Sequence, residues 1–336
     1  MPSLHPILKK SYWVLAGVGG IWAAFMVLLM NPWFQRHALY MHKINSGFWY
    51  NVSNPESFGF AKGQVTPFNL RTPDGETLYC WHVLPIDVYL DHENEIVQKA
   101  AGLVDDLTTT VGYRLMKKDH KSRIVVNFHG NAGHIAEGYR THTYRSLTSI
   151  PHTHILTCDY RGFGYSTVNN PPHLPTEPGL ITDGITLIHH LLTTLQHPSS
   201  RTVLLGQSLG TAVTAASALF FTSPSSPSLP PTIIPPKPSL PPQSFAGIIL
   251  ISPFPSLTTL LQSYKVRGII PILSPLRPYP RIANLVSSRI LDHWPTLPRL
   301  QALLTASPAS KTSVKISILH ARNDQDISFK LGEAVF

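Results

Sequence analysis

The chain has 336 residues, of which 43% are hydrophobic and 13% charged, and its formal net charge is +9. That length allows one large α/β domain with appendages. Two cysteines, Cys80 and Cys158, exclude a disulfide framework, and we interpret them as small buried hydrophobic residues. The sequence has no Cys-x-x-Cys motif and no run of acidic and histidine ligands, which predicts neither a metal site nor a cofactor.

The amino-terminal segment has the length and composition of a membrane-spanning helix. Residues 12–30 carry no charge, and Trp13 and Trp33 lie where the aromatic belts of a membrane span are found. We predict that residues 1–36 form a short tail and an uncleaved anchor, with a cleaved signal peptide as the alternative. Basic residues on both sides leave the orientation poorly specified. The glycosylation sequon at Asn51 agrees with a luminal catalytic domain.

The following chain alternates between apolar runs and helical patterns, which predicts a mostly parallel sheet with helices on both faces. Segments with the character of strands are residues 64–70, 76–84, 123–128, 155–158, 203–205, 246–252 and 315–319. Segments with helical spacing or composition are residues 87–121, 182–195, 211–221 and 329–336.

Two stretches fit neither pattern. Residues 222–243 contain nine prolines among 22 residues, which predicts an exposed insertion that is disordered or partly polyproline II. Residues 253–311 are irregular and apolar, as expected of a cap over an active site. This cap has one acid, Asp292, and a basic excess that predicts contact with a membrane or an anionic head group, with a solvated face of the cap as the alternative. The basic residues are Lys265, Arg267, Arg277, Arg281, Arg289, Arg299 and Lys311.

The strongest chemical signal is the pentapeptide Gly206-Gln207-Ser208-Leu209-Gly210, which stands between a short apolar run and a helix of small residues. That context is the one a G-x-S-x-G nucleophile elbow requires. A serine on such a strained turn presents its hydroxyl clear of the sheet. Side chains at Gly206 and Gly210 would collide with the neighbouring strand and helix. We therefore predict Ser208 as a nucleophile.

Acyl transfer by serine also needs an oxyanion hole, an acid and a base. The backbone N–H of Leu209 opens a helix and is one predicted oxyanion donor, and Asn131, in the loop after residues 123–128, is the other, with Ala132 next. Asp324 is the predicted acid because it comes earliest in the loop after residues 315–319, and Asp326 is the alternative.

No histidine follows the predicted acid, although the expected order is serine, acid, histidine. His134 and His320 lie near the predicted site, but we expect His134 to hydrogen-bond its own loop and His320 to pack at its strand end. The last helical segment, residues 329–336, shows neither a cap nor a stop signal. We therefore expect the chain to be a fragment that lacks the carboxyl-terminal strand and the histidine loop.

Together these motifs resemble the α/β-hydrolase superfamily over roughly residues 60–336. More narrowly, the chain is similar to the membrane-anchored α/β-hydrolase-domain lipases that hydrolyse lysophosphatidylserine and monoacylglycerol. The resemblance rests on the loop at residues 129–133, the glycine-punctuated loop at residues 159–166, the elbow around Ser208 and the segment 320–327. It implies Ser208 as nucleophile, Asp324 as acid, and Leu209 with Asn131 as oxyanion donors.

The resemblance also implies a single-pass protein of the endoplasmic reticulum membrane that cleaves long-chain acyl esters, either monoacylglycerol or lysophospholipid. Two other functions stay open: a noncatalytic membrane-bound relative that keeps the pocket and lacks the base, and a protein depalmitoylase. Nucleic acid is not an expected partner, because no recognition motif surrounds the basic residues.

Overall fold

The computed structural model describes residues 6–44, 51–266 and 270–336. Its strands are β1 (Val65–Arg71), β2 (Thr77–Val83), β3 (Arg123–Phe128), β4 (Thr153–Cys158), β5 (Thr202–Gln207), β6 (Gly247–Ile251), β7 (Lys265–Val266), β8 (Ile270–Pro271) and β9 (Ile316–Leu319). Seven of them form one sheet in the order β1-β2-β4-β3-β5-β6-β9, and β7 and β8 pair separately.

The central strands are parallel, as predicted, and the antiparallel pairs of the seven-stranded sheet are β1–β2 and β2–β4. The middle strands β3, β4 and β5 are rich in valine, isoleucine and leucine, and most of their residues are buried, which is typical of parallel strands covered on both faces. In the parallel part of the sheet the carboxyl ends of β3, β5, β6 and β9 lie at one edge. The loops that carry the predicted site residues follow β3, β5 and β9.

The helices are α1 (Pro6–Leu28), α2 (Pro32–Tyr40), α3 (Ile86–Gln98), α4 (Val111–Lys118), α5 (Arg140–Thr148), α6 (Glu177–Thr193), α7 (Leu209–Thr222), α8 (Leu257–Ser263), α9 (Pro280–Ser287), α10 (Thr296–Ala309) and α11 (Phe329–Glu333). Helices α6, α7 and α10 cover one face of the sheet and build the larger core. Helix α5 covers part of the other face, where Tyr144 packs in a second core with Trp81. Beside α5, an open groove of about 420 Å³ is lined by apolar residues of β5, β6 and β9.

The amino-terminal segment forms two helices of different character. Helix α1 is long and apolar enough to cross a membrane, and most of its side chains are exposed. Helix α2 begins after Asn31, whose side chain accepts hydrogen bonds from the N–H groups of Trp33 and Phe34. In contrast to α1, helix α2 packs on the domain and ends at the buried Tyr40.

The two cysteines are buried as expected, but they are bonded to each other rather than free. Strands β2 and β4 are antiparallel neighbours, and Cys80 and Cys158 stand directly opposite each other in their register. A separation of 78 residues gave no indication of this, because the order of strands in the sheet cannot be seen in the sequence.

The proline-rich segment differs from the predicted disordered insertion. It has no helix or strand between Thr222 and Gly247, as its prolines require, yet its apolar residues anchor it to the domain. Leu229 is buried in the larger core, and Pro238 O accepts a hydrogen bond from His189 Nε2 at 2.9 Å. The composition of this segment did not predict these contacts, because its few leucine and isoleucine side chains contribute little to the average.

The predicted cap at residues 253–311 is shorter in the structure. Helix α10 lies against α7 and contributes Leu300 and Leu303 to the larger core, so it belongs to the hydrolase domain. Arg299 does not contribute to the predicted basic surface, because it is buried and pairs with Glu177 at 2.5 Å. Arg267 and the side chain of Lys265 lie outside the described parts of the structure.

Candidate active site

Ser208 occupies the sharp turn between β5 and α7. Its backbone has φ 52° and ψ −120°, a conformation that is strained for any residue with a side chain. A Cβ atom at Gly206 would overlap with Gly210 O, and one at Gly210 would overlap with Phe128 O of β3. The two glycines therefore let the helix approach the sheet closely, as the sequence predicted.

The loop after β3 lies directly against the elbow. A Cβ atom built on Gly130 would stand 3.5 Å from Ser208 Cβ and 3.4 Å from Gln207 O. The Ser208 N–H donates to Ile251 O, at the end of β6, at 2.9 Å. The serine thus sits between the ends of β3 and β6, at the edge of the sheet where the predicted site belongs.

Two backbone N–H groups near Ser208 have no hydrogen-bond acceptor among the described residues. One is Leu209 N–H, at the start of α7, where the helix dipole favours a developing negative charge. The other is Asn131 N–H. Ala132, the sequence's second choice as donor, already donates its N–H to Tyr40 O at 3.2 Å. The hydrogen-bond pattern therefore favours Asn131 over Ala132.

Arg140, at the first position of α5, binds the same loop from behind. Its buried guanidinium donates to Gly130 O at 2.9 Å, to Asn131 O at 2.6 Å and to Ala132 O at 2.9 Å, and also to His134 O. Because these carbonyls turn toward Arg140, the guanidinium fixes the orientation of their peptide planes. Sequence reasoning missed this residue, since an isolated arginine has no signature that marks it as a ligand of a distant loop.

Asp324 is hydrogen-bonded at the end of β9, whereas Asp326 is exposed to solvent. Asp324 Oδ2 accepts from Ser252 Oγ at 2.9 Å, and Oδ1 accepts from the N–H groups of Asp326 and Ile327. Ser252 directly follows β6, the strand to which the Ser208 N–H is bonded. This arrangement favours Asp324 as the acid, and it adds Ser252, which the sequence did not single out, as a residue that positions it.

No histidine ring is hydrogen-bonded to the Ser208 hydroxyl among the described residues. His134 Nδ1 accepts from Ala136 N–H at 3.1 Å within its own loop, and burial lowers the pKa of its imidazole. His320 Nε2 lies 2.8 Å from Ile327 O and 3.5 Å from Asp324 Oδ2, while its Nδ1 is buried beneath Gly332. Both rings therefore have the local roles that the sequence analysis expected for them.

His129, directly after β3, lies in the buried interior of the site and not at its surface. Its ring is buried against Tyr160, with Nδ1 2.7 Å from Gly130 O and Nε2 3.8 Å from Asp159 Oδ1. Burial places the pKa of His129 well below its ordinary value and raises that of Asp159 to about 7. Because Asp159 also accepts the Ile135 N–H, this cluster joins the loop after β3 to the loop after β4.

Known proteins share parts of the sequence and the whole fold. No family model matches the chain. It is 23% identical to the zebrafish (Danio rerio) lysophosphatidylserine lipase ABHD12 over 175 residues, which is 52% of this chain and 40% of that protein. It is 32% identical to the human (Homo sapiens) protein ABHD12B over 151 residues, 45% of this chain and 36% of that one. The matches thus span less than half the length of these relatives.

Among solved structures, an α/β hydrolase from Vibrio vulnificus superposes on this chain with a TM-score of 0.53 at 13% identity. The superposition covers 90% of this chain and 91% of the bacterial protein. At a sequence identity this low, the superposition shows a similar fold alone. The chain is therefore an α/β hydrolase by fold, and in sequence it resembles the ABHD12 and ABHD12B proteins, as the sequence motifs predicted.

Proposed function

We propose that the protein is a serine hydrolase that cleaves long-chain acyl esters, with Ser208 as nucleophile and Asp324 as acid. The observation that carries this proposal is the strained backbone of Ser208, held by two glycines at the end of β5 beside two unpaired N–H groups. A strained conformation persists only where the surrounding structure enforces it, and such strain is concentrated at functional sites. The similarity to lysophosphatidylserine lipases ABHD12, such as the zebrafish protein, supports this class of reaction.

The chemistry follows from the roles of the atoms. Ser208 Oγ attacks the ester carbonyl carbon as its proton passes to a general base, and the carbonyl oxygen becomes an oxyanion. The N–H groups of Leu209 and Asn131 would stabilise that oxyanion. The base then returns the proton to the departing alcohol, and water hydrolyses the acyl-serine by the same steps. Asp324 would hold the base in the tautomer that accepts the proton from Ser208.

The general base is a histidine in this mechanism, and the described residues do not place one at Ser208. A second candidate function is that of a noncatalytic membrane protein that retains the hydrolase fold. Without a base, only the acceleration from binding and the oxyanion hole remains, roughly 10³- to 10⁴-fold over water. The two functions therefore differ in the reactivity of Ser208.

Labelling with a fluorophosphonate probe distinguishes these two functions. The protein should be expressed from its own transcript in a membrane fraction, beside a Ser208→Ala variant. We expect labelling of the unmodified protein and none of the variant. If the protein remains folded but unlabelled at every pH between 6 and 9, the noncatalytic function replaces the enzyme. Residual labelling that is lost in His134→Gln or His320→Gln would instead identify a relocated base.

For the substrate class, we propose monoacylglycerol or lysophospholipid, because the apolar helix α1 would hold the site beside amphiphilic molecules. A protein depalmitoylase would use the same chemistry on a thioester. Parallel assays with a monoacylglycerol, a lysophospholipid and an S-palmitoyl peptide separate these substrates. A kcat/KM that is highest on the peptide would overturn the lipid assignment.

We also propose that the catalytic domain faces the lumen of the endoplasmic reticulum. The Cys80–Cys158 disulfide would form in an oxidising compartment, and Asn51 of the sequon is exposed. Expression in mammalian cells should then yield a protein whose mobility on a gel increases after endoglycosidase treatment. Asn51→Gln should abolish the shift. A protein that is unglycosylated and carries free thiols would show that the domain faces the cytosol.

A further inference from the structure

The last turn of α2 contacts the loop that carries the proposed oxyanion donor. Leu39 O accepts a hydrogen bond from Asn131 Nδ2 at 2.6 Å, and Tyr40 O accepts one from Ala132 N–H at 3.2 Å. Carbonyls in the final turn of a helix have no intrahelical partner, so they are free to bind another segment. Here, two successive carbonyls of α2 bind two successive residues of the loop after β3.

These contacts act together with Arg140 on the opposite side of the loop. Arg140 binds the carbonyls of residues 130–132, while α2 binds the Asn131 side chain and the Ala132 amide. When these hydrogen bonds are formed, the Asn131 N–H still has no acceptor among the described residues. The loop also lies against the Ser208 turn. The loop is thus fixed from two sides, by Arg140 and by α2.

Helix α2 is itself held firmly. The Gln35 side chain donates to Arg289 O at 3.0 Å and accepts from Leu291 N–H at 2.8 Å. Arg36 pairs with the buried Asp292 at 3.3 Å, and Asp292 also accepts the N–H of Glu177 at the start of α6. These bonds on the other side of α2 fix it to the segment that links the cap to α10.

We propose that the last turn of α2 positions the Asn131 N–H, so that the membrane-proximal segment is part of the oxyanion hole rather than a detachable tether. The proposal rests on the proposed hydrolase function for its chemical meaning. It assigns α2 a positioning role, because none of its side chains reaches Ser208 among the described contacts. It also makes the geometry of the oxyanion loop depend on the helix that continues from the membrane segment.

A matched pair of variants at Met41 tests the proposal in the full-length protein. Met41 ends α2 in the left-handed conformation, with φ 47°, and its N–H donates to His37 O at 3.0 Å. Met41→Pro forbids that φ, removes the N–H and drives Tyr40 out of the helical conformation. Met41→Gly permits the same φ and keeps the N–H, so α2 should keep its last turn.

The first measurement is hydrogen exchange of the amides in residues 130–133, which needs no catalytic activity. We expect Met41→Pro to raise the exchange rate of the Ala132 amide, which donates to Tyr40 O, at least about fivefold, the factor that corresponds to a hydrogen bond of roughly 1 kcal/mol. Met41→Gly should leave the rate unchanged. Exchange in β3 should be the same in both variants, which shows that the sheet remains folded. Faster exchange in α2 without any change in residues 130–133 would overturn the proposal.

The second measurement is kinetic. On a soluble ester, Met41→Pro should lower kcat by about 10²-fold or more with little change in KM, because an oxyanion contact acts mainly in the transition state. If Met41→Pro unfolds the whole domain, Asn131→Ala replaces it, since this variant removes only the bond to Leu39 O. Faster exchange at Ala132 in that variant supports the proposal, and unchanged exchange overturns it. If no variant hydrolyses the ester, the proposed function fails, while the exchange result still decides the role of α2.

Discussion

Gly210 is one of the two glycines that let helix α7 approach the sheet closely. A methyl group there would overlap with the Phe128 carbonyl, a backbone atom that cannot move without displacing β3. We expect Gly210→Ala to lower the free energy of unfolding by about 3 kcal/mol. Denaturant titration in detergent measures this change. Gly247→Ala is the matched control, since its Cβ would meet only Lys315 O at 4.0 Å. Equal losses in both variants would contradict the close-packing argument.

Single residues also decide which of the two aspartates, Asp324 or Asp326, acts as the acid. The sequence placed Asp324 first by its position in the loop, and the structure adds three hydrogen bonds to its carboxylate, including the one from Ser252. Asp324→Asn should lower kcat by about 10⁴-fold if this residue orients the base. Asp326→Asn should remain close to the unmodified enzyme. The opposite ranking in an ester hydrolysis assay would transfer the role to Asp326.

At the scale of elements, the cap and the membrane segment form one unit. Ala283 and Val286 of α9 pack with Leu273, Leu276 and Met26 of α1. Trp22 Nε1 donates to Ile272 O at 3.2 Å, six residues before the end of α1, or about 9 Å along its axis. If α1 spans a membrane, this part of the cap therefore lies at the depth of its last turns.

The exposed side of α9 carries the kinds of side chain expected of a helix at that depth in a membrane. Tyr279, Ile282 and Leu285 are exposed apolar side chains, and Arg277 and Arg281 are exposed beside them. We expect a fluorophore on Ile282→Cys to be quenched by lipids brominated on their acyl chains, because apolar residues of an interfacial helix enter the acyl boundary. The same fluorophore on Leu304→Cys, an exposed position of α10, is the control and should not be quenched. Equal quenching at both positions would remove α9 from the interface.

The basic residues of this element give a separate prediction. Replacing Arg277 and Arg281 with alanine should weaken the quenching at residue 282 in anionic nanodiscs, and more so at low salt. Each arginine near an anionic surface contributes about 1 kcal/mol. Zwitterionic nanodiscs should show no difference. A loss of the same size at high salt would point to a packing defect instead of charge.

Elements were predicted well from the sequence where local chemistry decides their structure. The strand before Ser208 is a short apolar run, and the glycines around the serine fit no other turn as well, so β5, the elbow and α7 could be located. The contacts of the proline-rich segment and of α10 with the core were not predicted, for the opposite reason. Leu229 and Leu300 are buried by the tertiary packing of helices far away in sequence, which local composition does not express.

For the whole molecule, the sequence predicted the fold class but not the order in which the strands pair in the sheet. A mostly parallel sheet follows from the alternation of strands and helices. The order β2-β4-β3, however, brings Cys80 opposite Cys158, and this order is set by long-range contacts. The same holds for Arg140 and α2, whose contacts with the oxyanion loop join distant parts of the chain. Residue types could therefore predict the proposed nucleophile, whereas the groups that position its neighbours required the structure.

The buried histidines make the stability of the whole molecule dependent on pH. Burial lowers the pKa of His82, His190 and His197 to about 4, and that of His154 lies well below its ordinary value. In the unfolded chain each has an ordinary pKa near 6.5, so the unfolded state binds more protons between pH 6.5 and 4. The contribution of these histidines is fully present above pH 6.5 and is lost as the pH falls. Asp159 and Asp183, whose pKa values are raised by burial, act in the opposite direction.

His190 allows this dependence to be measured. Its ring stacks on Phe68, and its Nε2 is buried without a hydrogen-bond partner among the described residues, so a leucine can replace it without leaving a polar atom unpaired. A shift of the pKa from 6.5 to about 4 costs about 2 kcal/mol of stability at pH 5 relative to pH 8. His190→Leu should therefore reduce the loss of stability between these pH values by about that amount, measured by denaturant titration at each pH. His92→Leu, at an exposed histidine, should not change the loss. If His190→Leu loses as much stability as the unmodified protein, His190 is not among the groups that couple folding to pH.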